Sequence, residues 1–416
     1  MGTAVDLKIF AEDVEDEAVK QIDAISSLDA FVGAKIRIMP DVHAGKGCVC
    51  GFTANLGEKV VPNLIGVDIG CGMLTVRLGR GDVDFAMLDE VIRGEIPCGM
   101  KVHHRISDFT ERGYADYGCD PSACIANFSA KDLRYFKSSV GTLGGGNHFI
   151  EVDENSNGEK YLVIHTGSRN FGKKVCEHWQ EVAVKSLSKP IPNLKDMIKD
   201  VKIRCVSECR KERMQEAIHD AIERYNEIVR QARPQNEDLA YLVGDSRDGY
   251  LHDMKIAQRY ASLNRWMIAF LICRKMGWLV DGGIPGNFST VHNYLGEDNI
   301  IRKSAISAKE GEEVLIPLNM RDGSLICVGK GNDDWNNSAP HGAGRRMSRR
   351  KAKETLNRDE FRNSMDGIFT TSVSEETIDE SPFAYKDSDS IIRQISDTVE
   401  VVERIRPLYN FKASEV

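Results

Sequence analysis

Gly66-Val67-Asp68-Ile69-Gly70-Cys71-Gly72-Met73-Leu74-Thr75-Val76-Arg77-Leu78 joins a glycine-hinged loop, carrying a carboxylate and a thiol, to a short apolar run. Glycine allows backbone to approach a ligand closely and to adopt φ > 0, and Met73–Leu78 reads as a strand. The same unit recurs. Lys35-Ile36-Arg37-Ile38-Met39 runs into Pro40-Asp41-Val42-His43-Ala44-Gly45-Lys46-Gly47, and Lys160-Tyr161-Leu162-Val163-Ile164 runs into His165-Thr166-Gly167-Ser168-Arg169. This reading puts Asp41 and His165 just past strand ends. Two more clusters, Gly141-Thr142-Leu143-Gly144-Gly145-Gly146-Asn147-His148 and His341-Gly342-Ala343-Gly344-Arg345, complete the set. Any one of them reads more readily as an ordinary turn. Five, each with a His or an Asp/Cys pair, imply loops converging on one polar site.

Outward from these clusters, Val314-Leu315-Ile316-Pro317 reads as a further strand, and helices are expected in three places. Leu194–Arg233 is charged and glycine-free between Pro190/Pro192 and Pro234. Asp253–Met276 carries Ile256, Tyr260, Leu263, Met267 and Phe270 at three- and four-residue steps. Ile391, Ile392, Ile395, Val399, Val402 and Ile405 form one apolar stripe stopped by Pro407, which predicts a C-terminal helix docked on the body. Strands and helices without βαβ alternation make the fold class α+β. No internal repeat or low-complexity linker divides the chain.

Composition closes several classes. The longest apolar run, Trp266–Cys273, is far shorter than the roughly 18 residues of a spanning helix. No apolar stretch follows a basic start, so neither a secretory signal nor a membrane anchor is expected. Eleven cysteines without C-x-x-C spacing indicate reduced thiols in a cytoplasmic protein, not a zinc ribbon or disulfide framework. A formal net charge of −8 argues against a surface that grips nucleic acid throughout. Local basic sites stay open, and Arg345-Arg346-Met347-Ser348-Arg349-Arg350-Lys351 is one.

Asp68, Cys71, His148, His165 and His292 are the candidate metal ligands, because His, carboxylate and thiolate are the donors divalent sites use. Each has a bland alternative: a satisfied structural histidine, or in Cys71 a small buried hydrophobe. His341, set among small residues with Arg345 four positions on, fits an imidazole that meets phosphate while a guanidinium holds the oxygens. A loop-to-helix turn with solvated basic residues fits the same segment.

The segments Met39–Gly47, Gly66–Met73, Gly141–Glu151, Ile164–Arg169, Asp238–Tyr241, Ala261–Arg265, His292–Tyr294, Arg302–Lys303, Ser338–Arg349 and Asp379–Lys386 together resemble the RtcB family of GTP-dependent RNA ligases. The resemblance covers almost the whole chain. It implies a single catalytic domain over 1–416, with central β-sheets surrounded by helices and a helical insertion at 189–234. It implies that RNA 3′-phosphate or 2′,3′-cyclic phosphate ends are joined to 5′-hydroxyl ends, in RNA repair or tRNA splicing. Cys71 would bridge two Mn²⁺ ions, with Asp68 and His148 on one and His165 and His292 on the other. His341 would take GMP from GTP, and Asp41 would orient its ring. Asn147, Glu151, Asn293, Ser324, Arg345, Tyr385 and Lys412 would hold the guanylate. The expected protein is a monomer without membrane contact, and an archease-type activating partner is compatible with the family.

Softness alone would let Zn²⁺ or Co²⁺ suit one thiolate among nitrogen and oxygen donors, so Mn²⁺ rests on the resemblance. Two departures fall near the nucleotide: Ser304 stands where the family has Gly, and Leu318-Asn319 where it has Gly-Ser. The 189–234 stretch reads as a solvated helical hairpin from its mixed-sign charge. The competing function is a metal-dependent phosphodiesterase that opens cyclic phosphate ends without guanylation, and His341, Arg345 and Lys412 argue against it.

Overall fold

The computed structural model describes residues 5–45, 47–208 and 210–413; Lys46 of the Pro40–Gly47 cluster and Cys209 lie outside the described residues. Two sheets organise the protein. The larger runs in the order Glu313–Asn319, Gly323–Gly329, Val399–Lys412, Phe149–Glu154, Lys160–Thr166, Gly72–Gly79, Asn287–Val291, with Phe369–Thr370 beside Val399–Lys412. The smaller runs Asp6–Ile9, Lys35–His43, Cys50–Asn55, Ile300–Lys303, Asn293–Leu295. Helices pack around both, so the architecture is α+β with central sheets, as expected.

Lys160–Thr166 shows why the larger sheet forms. All seven residues are buried, and side chains alternate between faces along a strand. Leu162 and Ile164 join Ile268, Ile272 and Cys273 of the long helix Gly244–Met276 in one cluster, while Tyr161 and Val163 join Leu315 and Ile405 in another. The helix itself buries Ile256, Tyr260, Leu263 and Met267, the expected stripe; Phe270 instead stacks on Phe109 and Trp266.

Register, more than composition, positions the site. His165 lies opposite Phe149 on one neighbouring strand and Met73 on the other. Gly72 lies opposite both Thr166 and Val291, and Lys412 opposite Phe149. His148, His165, Cys71, His292 and Lys412 therefore gather at one end of five adjacent strands, which stand about 4.8 Å apart. His292 is also the residue at which the chain leaves the larger sheet and enters the smaller.

The helix Gly244–Met276 ties the loops at that end. Buried Asn264 accepts from the Gly141 and Thr142 N–H groups (2.8 and 3.1 Å) and donates to the carbonyls of Thr142 and Gly167 (3.1 and 3.0 Å). Buried Arg265 donates to the carbonyls of Gly70 and Thr166 at 2.7 and 3.0 Å. Two adjacent helical side chains thus fix three of the five glycine clusters. Asn264→Ala leaves two donors and two acceptors unpaired in the interior and is expected to destabilise the protein by about 3–5 kcal/mol. Urea unfolding measures this, and a loss below about 1 kcal/mol would mean water replaces the amide.

Two sequence expectations change and a third holds. The C-terminal stripe is not one helix: a short helix ends at Gln394, and Val399–Lys412 is a strand between Phe149–Glu154 and Gly323–Gly329. Val399 and Ile405 are buried but Val402 is 61% exposed, which no single helical face allows. A β-branched run fits both periods, and Pro407 sits inside the strand where the register shifts, a place that tolerates a missing N–H. The tail is docked, as expected, but by strand pairing. Asp41 and His165 lie within their strands, Lys35–His43 and Lys160–Thr166, not past them. The first strand continues through Pro40 because its pairing is interrupted between Ile38 and His43. The 189–234 stretch does fold as a hairpin of helices, Leu194–Ser207 and Met214–Ala232, with only Cys205, Ala221 and Ala232 buried.

Candidate active site

At the shared strand end, Cys71 Sγ lies 3.4 Å from His165 Nε2 and 3.6 Å from His148 Nε2. His148 Nε2 is 3.1 Å from Asp68 Oδ2, and His165 Nε2 is 3.1 Å from His292 Nε2. Two donor triads result, Asp68/Cys71/His148 and Cys71/His165/His292, each with its ligand atoms within 4.8 Å of one another and Cys71 common to both. Asp68 is seated by the Ser168 N–H (3.1 Å), and a side chain at Gly167 would collide with its carboxylate.

The donor set fits metal. His148 Nδ1 donates to the Leu143 carbonyl and His165 Nδ1 to the Asn147 carbonyl, which leaves a lone pair on each Nε2 aimed inward. Burial and the neighbouring cationic groups hold His165 and His292 well below the usual imidazole range, so protons do not fill the gap. Burial and Asp68 push the Cys71 thiol well up, which leaves deprotonation to a cation at the site. Neutral imidazoles, a carboxylate and one shared sulfur are a divalent-cation donor set.

His341 follows the short strand Ser338–Pro340 and donates from Nδ1 to Asp41 Oδ2 at 2.6 Å, with its backbone N–H on the same oxygen at 3.2 Å. Its ring centroid is 4.8 Å from that of His292. Gly344, at φ +74°, is what allows this approach, since a Cβ there would lie 2.6 Å from the Asp41 carbonyl oxygen. Asp41 is fully buried and accepts from Nδ1, an arrangement that fits the tautomer with its lone pair on Nε2, and His341 lines the cavity.

Of the guanylate-contact candidates, Asn147, Glu151, Asn293, Arg345, Tyr385 and Lys412 line the cavity that also holds His341, Asp68, Cys71, His165 and His292. Ser324 does not: it is fully buried on Gly323–Gly329, opposite Pro317 and Ile405, with its hydroxyl unpaired among the described residues. Leu318 and Asn319 do line the cavity, and Asn319 also caps the turn by accepting from the N–H groups of Arg321 and Asp322. Ser304 lines it too and keeps φ +50°, a conformation natural to glycine. Burial pushes Glu151 and its neighbour Asp153 upward, so this pair holds protons more tightly than ordinary carboxylates.

Sequence reasoning missed Glu380. Lys412 Nζ reaches it at 2.5 Å, the Tyr385 hydroxyl donates at 2.7 Å, and Arg349 and Arg345 pair with it at 2.9 and 3.3 Å. No local signal reveals it, because its partners are up to 35 residues away. Burial opposes its charge, but Lys412, Arg349 and Arg345 outweigh that and hold the carboxyl down to about 2, against an ordinary 4.5. A depressed acid stabilises the fold above its unfolded value and loses that contribution as pH falls towards the folded value. Here the window is pH 4.5 to about 2, and the contribution is about 3 kcal/mol. Glu380→Gln is therefore expected to lower stability by about 3 kcal/mol at pH 7 and progressively less below pH 4.5, measured by denaturant midpoints. A constant deficit across that range would rule the ionised hub out. His43 and Cys50 were also passed over, although His43 stands two residues from Asp41 on one strand.

Comparisons with known proteins identify the family. The chain matches the family described as tRNA-splicing ligase RtcB over residues 21–413. It is 27% identical to the RNA-splicing ligase RtcB of Escherichia coli K12, with 94% of this chain and 93% of the relative covered. It is 26% identical to the tRNA-splicing ligase RtcB of Archaeoglobus fulgidus (95% and 91%) and 25% to that of Aeropyrum pernix (95% and 91%). The hydrolase alternative gains no support from any of them. With a match from the first helix to the last strand, the chain belongs to the RtcB family of RNA ligases.

Proposed function

We infer that this RNA ligase uses GTP and two Mn²⁺ ions to join a 3′-phosphate or 2′,3′-cyclic phosphate end to a 5′-hydroxyl end, through a guanylate carried on His341. The observation that carries the reading is the 2.6 Å Asp41–His341 bond, with His341 lining one cavity together with Asp68, Cys71, His165 and His292 of the two donor triads. Asp41 keeps the proton on Nδ1, so Nε2 offers its lone pair to the α-phosphorus of GTP and pyrophosphate leaves. As the N–P bond forms the ring gains positive charge, which the buried carboxylate offsets. A 3′-phosphate oxygen then takes the guanylate from Nε2. The 5′-hydroxyl attacks the activated phosphate, GMP leaves and the phosphodiester is made. Cations bound by Asp68, Cys71, His148, His165 and His292 would neutralise charge on the phosphate oxygens.

Lys412 and Arg345 supply further positive charge, held in place by Glu380. Asn147 and Asn293 line the cavity next to the ligand loops and suit contacts to the nucleotide, as do Glu151 and Tyr385. We place the protein in the cytoplasm, where thiols stay reduced; none of the ten described cysteines is in a disulfide. The test uses an RNA pair with 3′-phosphate and 5′-hydroxyl ends. Ligation should need both Mn²⁺ and GTP, release GMP and pyrophosphate, and fail with 3′-hydroxyl ends. Joining without GTP, or joining of 3′-hydroxyl ends, would overturn the reading.

A further inference from the structure

Cys50 and His43 are Cα partners in the antiparallel pair formed by Lys35–His43 and Cys50–Asn55, which puts their Cβ atoms about 5 Å apart. His43 Nδ1 donates to the Asp41 carbonyl at 2.9 Å, which leaves Nε2 as the ring nitrogen able to take the thiol proton, and Ser304 lines the same cavity as Cys50 and His43. A nucleophile, a base and a group that orients the base are thus in place, the arrangement by which a thiol is activated. Gly45 leaves the sulfur room, since a Cβ there would lie 3.1 Å from Cys50 Sγ. Both Cys50 and His43 line the cavity that holds His341, and Cys50 is only half-buried.

We propose that Cys50 is a reversible modification site, at which a small disulfide attaches to the thiolate and closes the nucleotide cavity. Sγ attacks one sulfur of the disulfide; the new S–S bond forms as the old one breaks, and the leaving thiolate takes the proton from His43. A reducing thiol reverses the exchange. The effect on ligation rests on the guanylation reading above, whereas the thiol chemistry stands without it.

The surroundings favour the charged pair. Burial works against it, but His43, Lys303 and Ser304 outweigh burial and bring the Cys50 thiol down to about 6, while Cys50 and Asp41 carry His43 up to about 9. The other groups facing the pair are Cys48 beside Cys50; Glu12, Asp13, Glu15, Arg345, Arg346 and Asp387 around a second cavity that His43 lines; and Lys386, which bonds the Pro40 and Val42 carbonyls. The other half-buried cysteines differ: burial pushes Cys98 up to about 11 and Cys124 higher still.

The experiment treats the full-length, Mn²⁺-loaded protein with dithiodipyridine and locates the modified cysteine by peptide mass. At pH 6.5 a thiol titrating near 6 is about 75-fold more ionised than an ordinary one, and lower intrinsic nucleophilicity reduces the net gain to about fivefold. Cys50 should react first, about fivefold faster than in His43→Gln, with a wild-type half-point near pH 6. Guanylation should fall below one-tenth as Cys50 is blocked and return with dithiothreitol. Treated Cys50→Ser should match its own untreated control. First reaction at Cys71 or elsewhere, a half-point above pH 8, or full guanylation by Cys50-blocked protein would overturn the proposal. If untreated protein takes no guanylate, the guanylation reading fails instead, and the labelling site and pH profile still decide the thiol.

Discussion

His341→Asn is expected to lower guanylation, read as acid-labile label from α-labelled GTP, to less than about one-thousandth of wild type, a barrier increase above about 4 kcal/mol. Asparagine is the informative replacement because its amide can still donate to Asp41, which is fully buried. His341→Ala should be equally inactive but less stable by about 2–4 kcal/mol, since it leaves that carboxylate without its partner. Asp41→Asn separates orientation from nucleophilicity. The nucleophile survives, but the group that fixes its tautomer and offsets ring charge is gone, so a loss of roughly 10²–10⁴-fold is expected. Residual labelling above one-tenth in His341→Asn would place the guanylate on another residue.

Cys71→Ser is expected to remove both metal sites with one atom. The sulfur belongs to both donor triads, whereas His292 serves only one. Metal analysis after gel filtration in Mn²⁺ should give two ions per wild-type chain, about one for His292→Ala and close to none for Cys71→Ser. A ligand bound at 100 times its Kd stabilises the folded state by about 2.7 kcal/mol, so Mn²⁺ should raise the wild-type unfolding midpoint clearly and leave that of Cys71→Ser almost unmoved. Chelator should bring the two proteins together. Two ions retained by Cys71→Ser would break the shared-thiolate arrangement.

Much of the site is legible in the chain because its chemistry is local. Asp68 and Cys71 share one loop, His148 and His165 follow glycine clusters or strands, and HGAGR marks His341. The C-terminal segment misleads because Ile, Val and spaced charges satisfy helical and extended periods alike, and burial by neighbouring strands decides between them. Ser324 is buried on its strand and absent from the cavity lining, a placement that residue type alone does not reveal. Glu380 and the His43–Cys50 pair escape notice because each gains its meaning from partners on other elements.

Residue types, strand-forming runs and the donors available to a metal were determined by the sequence alone. The tertiary structure alone decided that these donors meet. His148, His165, Cys71 and His292 come together because four strands pair in one register. A slip of a single residue would turn alternate side chains to the opposite face of the sheet. That register is set by burial on both faces of Lys160–Thr166 and by Asn264 and Arg265 clamping the loops, interactions between segments a hundred residues apart.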